Sequence, residues 1–138
     1  MQKNLLIIDD TILEFMQSLT LLCIEDNKTT QLLYDAIFED YVEKIIFADD
    51  GQDGYEKYDS NDIDVIITDY AMPKLNGLEM IEKIRKSDKT IPIILVTVIS
   101  EADVIIQALN LNVNNFIKNL SNLKKLSAHL YLLQNLYL

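Results

Sequence analysis

The chain predicts an open α/β fold: a doubly wound, five-stranded parallel sheet with helices on both faces. Three observations carry this. Five β-like runs, at 19–24, 44–48, 64–68, 91–97 and 115–118, alternate with segments whose apolar residues recur at helical spacing. The connections are short, and strict alternation of this kind builds a parallel sheet covered on both sides. The central runs, Val65-Ile66-Ile67 and Ile93-Ile94-Leu95-Val96, are unbroken apolar stretches, as strands buried on both faces are.

The elements follow in order. Residues 1–18 form an N-terminal extension, with a strand-like run and a short helical pattern at Ile12, Leu13, Phe15 and Met16. One domain spans 19–138. Its first helix carries Leu32, Leu33, Ala36, Ile37 and Tyr41, with Asn27 placed to cap it. The second helix runs over about 51–59. The third carries Leu78, Ile81 and Ile84 behind an Asn76 cap. The fourth carries Val104, Ile105, Ala108, Leu109 and Leu111, and Ser100 with Asp103 resembles a capping box. A fifth helix is expected from about 121. There Leu123, Leu126, Leu130, Leu133 and Tyr137 step alternately by three and four, a heptad stripe. The stripe suits the core face of a last helix, a linker into a further domain, or a coiled coil that joins two copies.

Composition excludes several classes. The 138 residues suit a single domain. Formal net charge is −10, from 22 acidic against 12 basic residues, which argues against direct nucleic-acid binding and against an anionic membrane surface. No apolar run reaches the ~18 residues a membrane span needs. Cys23 is the single cysteine and sits in an apolar run, which fits a reducing cytoplasm and a packing role. The start, Met1-Gln2-Lys3-Asn4 before Leu5-Leu6-Ile7-Ile8, does not read as a signal peptide, because Asp9 and Asp10 cut the apolar stretch short. The one histidine, His129, falls in the last helix with no partner ligand near it in sequence.

The chemistry lies at strand ends. The first strand ends Ile24-Glu25-Asp26 and the third ends at Asp69. With strands ordered 2-1-3-4-5 these are neighbours, and the crevice of such a sheet opens at their carboxyl ends. Glu25, Asp26 and Asp69 then converge. Two carboxylates at ~4 Å and an effective dielectric of 20 repel by about 4 kcal/mol, so either one takes a proton or a cation joins them. Oxygen donors of this kind suit Mg²⁺. Asp69 is then a candidate nucleophile, because carboxylates form aspartyl phosphates. Three acidic loop residues with no such role are the plain alternative. The remaining strand ends favour the chemistry: the fourth ends at Thr97, a hydroxyl donor, and the fifth at Lys118, a point charge suited to phosphate. Asp9-Asp10 is a competing acid pair. Spacing prefers Asp26, since between it and Asp69 there is room for a helix, a strand and a short helix. Starting from Asp10 would leave the apolar run 19–24 unassigned.

With these residues in place, the chain from about 19 to 130 resembles the receiver domain of bacterial two-component response regulators. The motif Asp69-x-x-Met72-Pro73-x-x-x-Gly77 and the upstream acid pair carry the resemblance. It implies a flavodoxin-like fold and a phosphorelay role. Asp69 would accept a phosphoryl group from a histidine kinase or a phosphotransfer protein. Asp26, Asp69 and the backbone carbonyl of Ala71 would ligate Mg²⁺, with Glu25 acting through a metal-bound water. Thr97 and Lys118 would bind the phosphoryl oxygens. Phosphorylation would then switch the face made by the fourth helix, fifth strand and fifth helix, toward an output partner the sequence does not identify. The domain would be no enzyme beyond its own phosphoryl acceptance and loss.

The chain departs from the family pattern in places. Asn119 follows Lys118 where the family has proline, and Val98 follows Thr97 where it has a small residue. Asn112 replaces a glycine and tolerates left-handed geometry. Phe116 stands near the place of the family's switch aromatic, so Thr97 and Phe116 are the expected switch pair. These departures keep a second reading open, a receiver-like interaction module not governed by phosphorylation. A third, a phosphohydrolase with an aspartyl nucleophile, is disfavoured because Ala71 stands where those enzymes carry a second Asp.

Overall fold

The computed structural model describes residues 14–97, 102–113 and 115–117. Five strands, β1 (Thr20–Ile24), β2 (Lys44–Ala48), β3 (Val65–Asp69), β4 (Ile93–Val96) and β5 (Asn115–Ile117), form one sheet in the order β2-β1-β3-β4-β5. Every neighbouring pair is parallel. Between the strands lie α1 (Lys28–Phe38), α2 (Gly51–Ser60), α3 (Gly77–Arg85) and α4 (Ala102–Asn110). The fold class and strand order are those the sequence predicts.

Strand alternation splits the core in two. Leu21, Cys23, Val65, Ile67, Ile94, Val96 and Ile117 face Tyr34 and Phe38 of α1. Leu22, Ile24, Ile66, Ile93 and Leu95 face Leu78, Met80, Ile81 and Ile84 of α3, and Val104 and Ala108 of α4. Met16, just before β1, is fully buried in the first of these layers.

Caps set where the helices start. Asn27 Oδ1 accepts from the Thr30 amide at 3.0 Å, as its sequence position predicts. Asn76 and Glu79 form a complete reciprocal capping box at the head of α3. Asp50 caps α2 through the Asp53 amide at 2.8 Å. Asn112 takes the left-handed conformation expected of it, with φ 58°, and so does Lys74, with φ 66°.

Two helix faces differ from expectation. Leu32 of α1 is 71% exposed, Leu33 is 45% exposed, and Ala36 is exposed. The buried face is Thr30, Gln31, Tyr34 and Phe38, with Ile37 and Tyr41 at its margin. The cap and the hold on Gln31 orient the helix, so a polar residue takes an inward position that counting apolar residues assigns to leucines. In α4 only Val104 and Ala108 are buried, and Leu109 is 55% exposed. Arg85 corrects another default, that charged residues stay outside. It is 5% exposed, and its guanidinium donates to the carbonyls of Leu111 at 2.7 Å, Asn112 at 3.0 Å and Asp88 at 3.1 Å. This ties the end of α3 to the end of α4. The Asp9-Asp10 pair, the Ser100 cap, Val98, Lys118, Asn119, His129 and the helix expected from 121 lie outside the described residues.

Candidate functional site

β1 and β3 are hydrogen-bonded neighbours with Ile24 opposite Thr68, so the acid pair that follows Ile24 and the carboxylate that ends β3 emerge side by side. Glu25 continues the alternation of Leu21 and Cys23, and Asp69 that of Val65 and Ile67. One carboxylate oxygen from each of Glu25, Asp26 and Asp69 lies within 4.8 Å of the others. Glu25 is buried, Asp69 half-buried and Asp26 exposed. The sequence prediction that these three converge is met by this geometry.

The electrostatics follow from the crowding. Burial pushes Asp69 up to about 8, and a hydrogen bond with Glu25 and the charges of Glu25 and Asp26 act in the same direction. Burial also raises Glu25, opposed by its hydrogen bonds from Asp69 and from the Asn27 amide, which donates to Oε2 at 3.0 Å. Asp69 and Glu25 thus hold a proton between them when nothing else neutralises the site. The head of α1 lies directly after the acid pair, where its free amides favour anions.

Backbone contacts fix Asp69. The amide of Tyr70 donates to Val96 O at 3.1 Å, and the amide of Gly77 donates to Tyr70 O at 2.7 Å, closing the loop that carries Ala71 and Pro73. A side chain at position 77 would collide with the Asp69 carbonyl, so glycine is required there by close approach. Ala71 is exposed in that loop. Val96 pairs with Asp69 across β3 and β4, and Thr97 comes next in the chain. Thr97 is buried, and its amide donates to Ile117 O at 2.9 Å. Phe116 is half-buried opposite Leu95 and packs in the layer that includes α4.

Sequence reasoning missed the rim. Gln31 Nε2 donates to Glu25 O at 2.6 Å and to Asp49 Oδ1 at 3.0 Å, so it ties the acid loop after β1 to the loop after β2. Lys28 pairs with Asp49 and holds its carboxyl below the usual range. Lys74 Nζ lies 3.5 Å from Asp50 Oδ2. The available signal was Asp49-Asp50 directly after the second β-like run, one more acid pair at a strand end.

The family model for the response regulator receiver domain matches residues 21–131, and the chain belongs to that family. The chemotaxis protein CheY1 of Helicobacter pylori is 36% identical over 101 residues, which cover 70% of this chain and 82% of that protein. A chemotaxis protein CheY homolog of Campylobacter jejuni is 35% identical over 117 residues, covering 83% and 78% of the two chains. The N-terminal domain of an uncharacterized protein from Wolinella succinogenes superposes with a TM-score of 0.74 at 28% identity, over 85% of this chain and 97% of that one. CheY4 of Vibrio cholerae superposes at 0.72 with 21% identity, over 82% and 98%, which speaks to the fold alone. The protein is a CheY-like receiver domain, a signalling domain of phosphorelays. Among the described residues no helix is long and apolar enough to cross a membrane.

Proposed function

We propose that Asp69 accepts a phosphoryl group in a Mg²⁺-dependent reaction and that the modified domain then engages its target. The observation that carries this is the meeting of Glu25, Asp26 and Asp69 within 4.8 Å at the carboxyl edge of the sheet. The donor set is all oxygen and open to water at Asp26, which fits an ion that takes one or two carboxylates and keeps several waters. Asp26, Asp69 and the Ala71 carbonyl would hold the ion, with Glu25 reaching it through water. When bound, the ion offsets charge on the transferring group.

The chain's own residues do the rest. The proton that Asp69 holds in the metal-free site passes to solvent water first, since the site is open at Asp26, and this frees a carboxylate oxygen of Asp69 to attack phosphorus. The bond between phosphorus and the phosphohistidine nitrogen breaks, and its electron pair stays with the donor. The Thr97 hydroxyl and the Lys118 ammonium bind the phosphoryl oxygens. Water later cleaves the acyl phosphate, and this acceptance and loss is the domain's whole chemistry. The added charge draws Thr97 inward and shifts Phe116, which biases the face around α4 and β5. The donor is a histidine kinase or phosphotransfer protein, and the setting is the cytoplasm. The heptad stripe past 121 would serve as a linker or join two copies.

Beryllofluoride with Mg²⁺ titrated into wild type and Asp69→Asn, followed by amide NMR, tests this. Saturable shifts around residues 25–27, 69–71 and 97 are expected in wild type and absent from the variant. Equal behaviour of the two would overturn the reading.

A further inference from the structure

A third acid pair, Asp49-Asp50, follows β2, and the chemistry proposed above makes no use of it. Two acids beside a cation site invite a ligand role. Their contacts argue otherwise. Asp49 Oδ1 already accepts from Lys28 Nζ and from Gln31 Nε2. Asp50 spends Oδ1 on the cap of α2, and Oδ2 faces Lys74. Apart from the cap, each of these contacts reaches toward one of the two loops that carry the acid site.

On one side stands the loop after β1. The Glu25 amide donates to Ala48 O at 2.9 Å, and the Glu25 carbonyl accepts from Gln31 Nε2 at 2.6 Å. The same side-chain nitrogen donates to Asp49. Gln31 is buried, so its two N–H groups have left water and both are spent on this bridge. On the other side stands the loop over 70–76. A side chain at position 51 would strike the carbonyl of Leu75, so the backbone after Asp50 lies directly against that loop. The turn 49–51 is thus wedged between the loop that holds Glu25 and Asp26 and the loop that follows Asp69. The ion pairs add little to this, because the Lys28 and Lys74 side chains are 72% and 71% exposed. The buried glutamine and the backbone contact set the spacing.

We propose that the turn Asp49-Asp50-Gly51 is a spacer for the cation site and that Gln31, held by Asp49, is a positioning residue that keeps the Glu25–Asp26 peptide in register with Asp69. This rests on the cation-binding reading above. Gln31 holds the carbonyl of the peptide that joins Glu25 to Asp26, so a shift there moves both carboxylates together. An ion such as Mg²⁺ demands near-ideal geometry and tolerates little displacement of its ligands. Neither Gln31 nor Asp49 touches the ion or the phosphoryl group.

The test uses Mg²⁺ alone as the probe, titrated into the full chain and followed by amide NMR, with a melting temperature for each variant. Gln31→Met keeps the length of the side chain and removes both donors, and Mg²⁺ affinity should fall roughly tenfold. Asp49→Ala should lower it by about threefold or more, whereas Asp49→Asn, which keeps the acceptor and loses the charge, should stay within about twofold of wild type. The double variant of Gln31→Met with Asp49→Ala should bind no more weakly than Gln31→Met, because both act through one bridge. Without metal, Asp49→Ala should exchange the amides of 25–27 faster than wild type. Asp49 is exposed, so its variants decide the matter even where Gln31→Met fails to fold. Equal losses of affinity in Asp49→Asn and Asp49→Ala would show that Asp49 acts by its charge alone, and an unchanged affinity in Gln31→Met would show that the bridge positions nothing. Either result overturns this inference and leaves the metal site standing. Failure of wild type itself to bind Mg²⁺ would overturn both.

Discussion

A Cβ built on Gly77 lies 2.2 Å from the carbonyl oxygen of Asp69. Helix α3 therefore starts in backbone contact with the proposed phosphoacceptor, and the loop between them is closed by the Gly77 amide on Tyr70 O. The obstacle is backbone rather than a flexible side chain, so it does not yield. Gly77→Ala is expected to cost about 2–3 kcal/mol of stability by denaturant unfolding and to weaken Mg²⁺ binding by displacing Asp69. An alanine variant with wild-type stability and metal affinity would show that the contact is loose.

The acid site makes stability depend on pH with a definite sign. Asp69 is raised from the ordinary aspartate value to about 8, chiefly by burial, so the folded state holds a proton that the unfolded state has released. Its contribution is present at and below the ordinary aspartate range and is lost as pH rises toward about 8. Glu25 is raised too and acts in the same sense. Like-charge repulsion sets a ceiling of about 4 kcal/mol, and partial exposure of the site cuts this to on the order of 2 kcal/mol. Metal-free wild type should therefore melt at falling temperature between roughly pH 4 and 8, Asp69→Asn should flatten that slope, and saturating Mg²⁺ should reverse it. A flat wild-type profile without metal would contradict the shared proton.

Arg85 holds the ends of α3 and α4 together through three backbone carbonyls, while burial lowers its tendency to stay charged. Arg85→Met should leave those acceptors unpaired and cost about 2–4 kcal/mol, with amide exchange accelerating at 108–113 before the rest of the domain. Lysine, a single point charge, should recover only part. Uniform acceleration of exchange would mean that the arginine serves the whole core.

The orientation of α1 separates expectation from structure most sharply. Phe38 is fully buried and Leu32 is 71% exposed. Phe38→Ala is expected to cost about 3–5 kcal/mol and Leu32→Ser less than about 0.5. Comparable losses would restore the leucine-inward face that residue counting proposes.

What could be read beforehand, and what could not, divides along physical lines. The strands and their order were legible because β-branched apolar runs bounded by short connections have few alternatives. The acid convergence was legible because each carboxylate ends a strand, and strand ends meet at one edge. Gln31, Arg85 and Tyr34 were not. Gln31 and Arg85 are polar side chains buried by backbone carbonyls, those of Glu25, Leu111, Asn112 and Asp88, and those acceptors come within reach only once the sheet and helices have assembled. Tyr34 and Phe38 were lost to the more numerous leucines beside them, since a count of apolar residues does not know where the Asn27 cap starts the helix.

The proposed function stands or falls on residue 69 being the phosphoacceptor at a Mg²⁺-dependent site. Incubation with acetyl phosphate, followed by intact-mass and peptide mapping after borohydride trapping, tests it most directly. One phosphoryl group per chain is expected, mapped to Asp69, dependent on Mg²⁺ and missing from Asp69→Asn. Equal labelling of wild type and the variant, or labelling of wild type that persists when Mg²⁺ is chelated, would contradict it.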